Sequence, residues 1–519
     1  MSARRTLLLF GAYAGAALLT RAVVLFVPIV DVDEASYLVA ARELLRGKLL
    51  YVAVADHKPP LVYLYYAAAQ LLGAGMPALR LFTDLVTVPL TALALSAFYR
   101  HSPEGIMAGT LYLIYGAAFV GHDMLSVNCE VLLLLPAAWA LAVVRDETAA
   151  LRPARQLGAG LLLGMAVLFK HQAAAWFLAV MFAAWAAVAR QRRPVRLAAA
   201  LAALLAGFAA PLLGVWLWFA SRGAARPFLY WNLTHNLLYA ANPIRAREVG
   251  RGVLRNLVPF LLVTTALWWA AWRSRPRLTS YQAALVGGVL VLSLAMTFVG
   301  LRFYPHYFIL VIPPLALLAA PHAAGALQER PLAPATRRAV AWTIGVLLAF
   351  TLANGIIYAR TDIQEETRPV FADVAAWLRA DPCYPGAALF TWGYAPAFNA
   401  SADLPMATRF LFLESTLVGY VPGNADSARG VVDARWRIRP EHWDWLLADL
   451  QHRPPTFIID TAPARIHRWD HFPLASYSRL WSFVEGGYDL ADTVDGVRIY
   501  RRRGCAGPAH DPGGRPDNR

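Results

Sequence analysis

The chain has 519 residues, 58% of them hydrophobic and only 16% charged, with a mean hydropathy of +0.45, whereas soluble domains carry about 25% charged residues. An ordinary soluble globular protein is excluded. The 48 Lys and Arg against 33 Asp and Glu give a net charge of +15, but the basic residues cluster in short connections such as 190–196 and 272–277 rather than along a continuous face, which suits orientation of membrane helices and not nucleic-acid binding.

Arg4 and Arg5 precede an apolar run that continues through Arg21 to Ile29 without a small-residue cleavage site. We read it as a retained first span with its start inside, not as a signal peptide. Helical rise is 1.5 Å per residue, so about 20 apolar residues cross a bilayer. By that rule candidate spans fall at 6–30, 60–74, 78–99, 105–121, 126–144, 157–170, 173–190, 196–220, 253–272, 280–299, 303–320 and 338–358. Basic connections at 145–155, 190–196 and 273–277 fit the cytoplasm, placing 221–252, the region around Arg302 and everything after Arg360 outside. This topology disagrees by one crossing with Arg4 and Arg5 inside, so the expected count is twelve or thirteen. The alanine-rich stretch 196–210 reads as a small-residue helix contact, and there is no internal repeat.

Two stretches break the membrane pattern. The loop 31–60 is too polar to cross but has helical apolar spacing in Tyr37-Leu38-Val39-Ala40 and Leu44-Leu45, as a segment lying along the membrane surface would. From 361 to 503 the pattern is that of an α/β domain: an amphipathic helix at 368–379 and buried strands at 387–390, 456–459 and 497–500. The tail 504–519, rich in Gly, Pro, Asp and Arg, reads as disordered. Of three cysteines, Cys129, Cys383 and Cys505, only the last two are candidates to pair; the spacing fits neither a metal box nor a disulfide framework.

The first outer loop concentrates ionisable residues: Asp31-Val32-Asp33-Glu34-Ala35-Ser36-Tyr37, then Ala55-Asp56-His57-Lys58-Pro59-Pro60-Leu61. Such residues beside a bilayer are expensive unless they serve a site; the bland alternative is a hydrated loop whose acids cap a helix. Further along stand His122-Asp123-Met124-Leu125-Ser126-Val127-Asn128-Cys129-Glu130 and Arg302-Phe303-Tyr304-Pro305-His306-Tyr307-Phe308 with Ile312-Pro313-Pro314. In order, these motifs resemble those of the C-type (GT-C) glycosyltransferases, nearest to relatives of protein O-mannosyltransferase and lipid A aminoarabinose transferase. Thr391-Trp392-Gly393, Thr408-Arg409-Phe410 and Pro454-Pro455-Thr456-Phe457-Ile458-Ile459-Asp460 are similar to outer-domain pieces of bacterial members.

The resemblance implies a polytopic α-helical membrane protein of GT-C fold, with about 12–13 transmembrane helices in 1–360, a catalytic outer loop at 31–60 and a small C-terminal extracytoplasmic α/β domain at 361–503. It implies an inverting enzyme of a bacterial-type inner membrane that moves a sugar from a polyprenyl-phosphate donor to an extracytoplasmic glycolipid, cell-envelope glycan or protein. Asp33 matches the family's catalytic aspartate and Lys58 its phosphate-contacting lysine. Glu34 is placed beside Asp33 in the catalytic set, or else holds the loop. Tyr37 and Asp123 are substrate-binding candidates, a buried hydrogen-bonded acid being the alternative for Asp123. Arg302 and His306 are candidates for the donor phosphate because guanidinium forks pair with phosphate oxygens; a satisfied core histidine is the alternative for His306.

No cofactor is required by this reading. Asp31 and Asp33 spell Asp-x-Asp, a pattern that binds divalent cations, but the cation is the disfavoured alternative and the metal is left unassigned. Lys170-His171-Gln172 divides two apolar half-runs and reads as a hairpin turn, with a carrier contact as the alternative. Arg245, Arg247, Arg251 and Arg255 share a helical spacing that suits a lipid phosphate or anionic headgroups. Asn232-Leu233-Thr234 and Asn399-Ala400-Ser401 are glycosylation-type triplets of the kind expected by chance. The rival function is a transporter or flippase of lipid-linked sugars, which predicts charges at the bilayer midplane and internal repeats.

Overall fold

The structure is a computed structural model; it describes residues 2–73, 75–118, 124–191, 194–240, 244, 246–329, 368–413, 415–420 and 434–505, with isolated positions between 334 and 345. Eleven of the twelve expected spans coincide with helices; the twelfth, 338–358, lies outside the described residues save for isolated positions, as does the tail beyond Cys505. Among the described residues, five helices are long and apolar enough to cross a membrane: Ala3–Val24, Met76–Phe98, Val195–Ser221, Ser280–Thr297 and Pro305–Gln328. A sixth candidate is the pair Ala246–Val263 and Thr265–Arg277, bent by 49°, and Leu61–Leu72, Cys129–Val143 and His171–Ala187 are shorter apolar helices.

The chain divides into two compact units, one of Met1–Val30 with His57–Ile363 and the other of Asp31–Asp56 with Gln364–Arg519. In the first, close approach of backbones decides the packing. A Cβ added to Gly160 or Gly164 would strike the carbonyl oxygen of Leu204 or Phe208, and one on Gly207 that of Leu157. Small residues thus let the helices Pro153–Val167 and Pro194–Ser221 lie against each other, which is how helices associate where lipid removes the hydrophobic driving force between them. The first helix is tied in by polar contacts: Arg21 pairs with Asp84 at 2.5 Å and donates to the Leu125 carbonyl at 2.7 Å, and all of these groups are buried. Such charges are stable inside only as a hydrogen-bonded pair.

The second unit is built on a four-stranded sheet: β1 (Leu389–Trp392), β2 (Phe457–Asp460), β3 (Tyr488–Val494) and β4 (Val497–Arg502), in the order β1-β2-β4-β3. β1 and β2 are parallel; β4 runs antiparallel to β2 and β3. The expected strands are β1, β2 and β4, each displaced by at most two residues, and the expected helix is Pro369–Ala380, which buries Val370, Phe371, Val374, Ala375 and Leu378. β3 is an addition. Its residues are mostly exposed or half-buried, so no apolar alternation announces it; its signal is the Asp495-Gly496 turn, both residues at positive φ (47° and 84°), as a tight hairpin needs. Cys383 and Cys505 are disulfide-bonded with a Cα separation of 6.1 Å.

The segment 31–56 is fastened to this domain. Its helix Val32–Leu45 extends Arg42 to the Ala400 carbonyl (2.8 Å) and the Asp403 carboxylate (3.2 Å). The fully buried Glu43 accepts from the Met406 N–H at 3.3 Å and pairs with Arg46 and Lys48. At the far end the Ala55 N–H donates to the Arg409 carbonyl at 2.7 Å.

Candidate active site

Asp31 caps the helix Val32–Leu45: its backbone is extended and its Oδ1 accepts from the Glu34 N–H at 2.8 Å. Asp33 and Glu34 therefore sit in the first turn, where the helix dipole favours negative charge. Asp33 is half-buried, whereas Glu34 and Tyr37 are 0% and 1% exposed. One turn apart, Asp33 and Tyr37 share a helix face, and Glu34 points about 100° away from it. The capping acid is thus Asp31, which leaves one of its oxygens committed to the backbone.

The other candidates belong to the first unit. Pro59 and Pro60 lead into the helix Leu61–Leu72, and the Leu61 N–H donates to the Leu168 carbonyl at 3.0 Å, which sets the half-buried Lys58 beside the break between Pro153–Val167 and the next helix. Asn236 donates to the His57 carbonyl at 2.7 Å, and the His57 ring stacks on His235 with centroids 5.7 Å apart. In the break itself Lys170 forms an ion pair with Glu130, which stands in the first turn of Cys129–Val143 and is 1% exposed.

Glu130 gathers a second partner. The His306 Nε2 lies 3.7 Å from its Oε1, and the Lys170 ammonium sits 4.8 Å from the centroid of the Tyr307 ring. His306 and Tyr307 come from the 3-10 stretch Pro305–Val311. Arg302, 8% exposed, donates to the Tyr304 hydroxyl at 3.2 Å. Its backbone is presented by three positions in the left-handed region, Gly300 (φ 72°), Leu301 (53°) and Phe303 (52°), a conformation that glycine adopts freely but that is costly for Leu301 and Phe303 and accumulates at functional sites. The charges of Lys58, Glu130 and Arg302 all act on the Tyr307 hydroxyl. Lys170 is thus paired with Glu130 and faces Tyr307, and Lys58 and Arg302 lie within electrostatic reach of the same tyrosine, a grouping of cations of the kind that meets an anion such as a phosphate.

The structure therefore brings Lys58, Arg302 and His306 to one neighbourhood and sets Asp33, Glu34 and Tyr37 on one helix. Asp123 lies outside the described residues. The Glu130–Lys170 pair is the element that motif reading missed, although a lysine between two apolar runs signals a buried partner. Lys170 does lie at the expected turn between helices. Arg247, Arg251 and Arg255 lie on consecutive turns of one helical stretch, Arg251 paired with Glu248, while Arg245 lies outside the described residues. Asn232 and Asn399, 4% and 6% exposed, are hydrogen-bonded inside the protein, as unmodified asparagines would be.

No protein-family model matches the chain, and no curated protein sequence matches it. Solved structures do. The crystal structure of ArnT from Cupriavidus metallidurans bound to undecaprenyl phosphate superposes with a TM-score of 0.58 at 14% identity, covering 98% of this chain and 100% of that one. The fold is that of ArnT. The apo structure of the same protein gives a TM-score of 0.56 at 14% identity and the same coverage. At this identity the likeness is one of architecture alone, and this chain's share of it is many helices, several apolar enough to span a membrane, followed by a small C-terminal sheet domain.

Proposed function

We propose that this chain is an integral-membrane glycosyltransferase that takes a sugar from a polyprenyl-phosphate donor and transfers it, with inversion, to an extracytoplasmic glycolipid, glycan or protein. The observation that carries the reading is the grouping of Lys58, Lys170 and Arg302 about Tyr307, with Lys170 paired to Glu130, on the fold of a protein crystallised with undecaprenyl phosphate. The Cys383–Cys505 disulfide supports an oxidising location for the α/β domain.

In this reaction the acceptor oxygen attacks the anomeric carbon as the bond from that carbon to the phosphate oxygen breaks. The proton of the acceptor hydroxyl passes to Asp33, and the electron pair of the broken bond leaves on the polyprenyl phosphate. A hydroxyl is a poor nucleophile at neutral pH, so a carboxylate base contributes about 10² to 10⁴-fold. The leaving phosphate gains a negative charge, and Lys58 and Arg302 stabilise it where little water competes. His306, held by Glu130, orients at the same phosphate. Tyr37, on the Asp33 face, lies against the substrate.

The test is transfer by the purified chain in lipid vesicles, offering radiolabelled polyprenyl-phosphate sugars and membrane acceptors. Asp33→Asn abolishes transfer and retains donor binding; Lys58→Ala weakens donor binding and turnover. Kinetics unchanged in both variants would remove the proposed site, and label that stays on every donor with folded protein would favour translocation of lipid-linked sugars instead.

A further inference from the structure

The helix Thr265–Ser274 packs along Ile312–Gln328, and its last turn is fastened there: the buried Ser274 hydroxyl accepts from the His322 N–H at 2.9 Å and donates to the Ala319 carbonyl at 3.3 Å. Trp269 meets the His322 ring edge-on with centroids 4.9 Å apart. Trp272 follows three residues on, a spacing that keeps both indoles on one side of the helix. They are 49% and 56% exposed, and neither N–H has a hydrogen-bond partner among the described residues, whereas Trp268 donates to the Thr264 hydroxyl at 3.1 Å.

Directly after the indoles come Arg273, Arg275 and Arg277, all three exposed and none paired with a carboxylate among the described residues. Arg277 donates to the Arg273 carbonyl at 3.5 Å and lies against the facing helix, its Nη2 3.9 Å from where a Cβ on Gly325 would stand. The charges of Arg277 and Arg273 both act on His322, with that of Glu329 opposing them. Two guanidinium groups and an indole thus converge on one residue of Ile312–Gln328. Orientation of a membrane helix asks only for positive charge in the connection; it does not ask for arginines docked beside two exposed tryptophans. Tryptophan settles at the depth of the lipid headgroups, with its ring toward the chains and its N–H toward the polar layer, and a guanidinium at that depth pairs with phosphate oxygens.

We propose that this corner, Trp269 and Trp272 with Arg273, Arg275 and Arg277, is a binding site for an anionic phospholipid. The arginines meet the phosphodiester, the indole N–H groups donate to the glycerol ester region, and the indole faces cover the first carbons of the chains. The connection 273–277 is expected on the cytoplasmic side, where anionic lipids give the membrane its negative surface. The site is independent of the transferase reading, and a chain that transfers no sugar still decides it.

The experiment is native mass spectrometry of the full chain in non-ionic detergent, with dioleoyl phosphatidylglycerol, dioleoyl phosphatidylcholine and inorganic phosphate as probes. One phosphatidylglycerol binds saturably, phosphatidylcholine binds about tenfold more weakly, and inorganic phosphate displaces the lipid only at concentrations about a hundredfold higher. Arg275→Gln, a side chain with no contact among the described residues, weakens binding about fivefold, and Arg273→Gln with Arg277→Gln about 25-fold. Trp269→Ala with Trp272→Ala also weakens it, about fivefold. Arg152→Gln with Arg196→Gln, which takes the same charge from other exposed basic connections, leaves the site unchanged, and the arginine variants all keep the wild-type unfolding temperature. Equal binding of the two lipids, displacement by inorganic phosphate at equal concentration, undiminished binding in Arg275→Gln and in the Arg273, Arg277 pair, or equal weakening by the Arg152, Arg196 pair overturns the site.

Discussion

Two buried titratable groups of the α/β domain pull its stability in opposite directions over one pH window. Asp460, at the end of β2 and 2% exposed, has its carboxyl pushed up to about 6 by burial, against the Ala462 N–H and the Arg498 charge, which hold it down. His442, fully buried with its Nδ1 2.9 Å from the Thr416 hydroxyl, is pushed down to about 4 by burial and by Arg439 and Arg409, against Glu441. Between pH 3.8 and about 6 the folded state keeps the Asp460 proton that the unfolded chain has released, so stability falls as pH rises. Between about 4 and 6.5 the folded state has shed the His442 proton that the unfolded chain retains, so stability rises with pH. At about 1.36 kcal/mol per unit each effect is worth about 3 kcal/mol, and the two nearly cancel. Asp460→Asn therefore leaves a domain that gains about 3 kcal/mol from pH 4 to 6.5, and His442→Asn one that loses about as much. Hydrogen exchange of the β2 and β4 amides in the full-length chain, measured at pH 4, 5 and 6.5 and corrected for intrinsic rates, reads these slopes. Parallel pH profiles for wild type and both variants would refute the reasoning.

Glu130→Gln leaves the Lys170 ammonium buried without its counter-charge, which costs about 3–5 kcal/mol in unfolding experiments in mixed micelles. Adding Lys170→Met returns most of that stability, and a double-mutant cycle with no coupling would sink the pair. Gly207→Leu forces apart the helices Pro153–Val167 and Pro194–Ser221, because its side chain meets the Leu157 carbonyl; a loss of about 1–3 kcal/mol is expected, read as a lower unfolding temperature than that of Gly214→Leu, where a Cβ meets nothing. Cys505→Ser opens a cross-link between residues 122 apart in sequence and lowers α/β-domain stability by about 2–4 kcal/mol, and peptide mapping of the non-reduced protein shows the linked pair in wild type alone.

Much of the architecture is legible without coordinates because membrane helices obey a one-dimensional rule: the bilayer sets their length and the run must be predominantly apolar. Likewise β2 reads directly from Phe457-Ile458-Ile459, buried on both faces. β3 does not, because an exposed edge strand carries no hydrophobic period. The candidate site divides the same way. Asp33 and Lys58 stand out as ionisable residues beside apolar segments, whereas the partner of Lys170 lies 40 residues away in sequence, beyond any local pattern.

The sequence by itself determined the solvent, the approximate helices and the residues too expensive to be idle, since hydropathy and charge are properties of single residues and short windows. Only the tertiary structure decided that 31–56 folds onto the C-terminal domain through Arg42, Glu43 and Ala55, that Glu130 joins Lys170 to His306, and that Cys383 bonds to Cys505. Each of these is a meeting of residues far apart along the chain, and such meetings are chosen by packing and charge compensation over the whole fold.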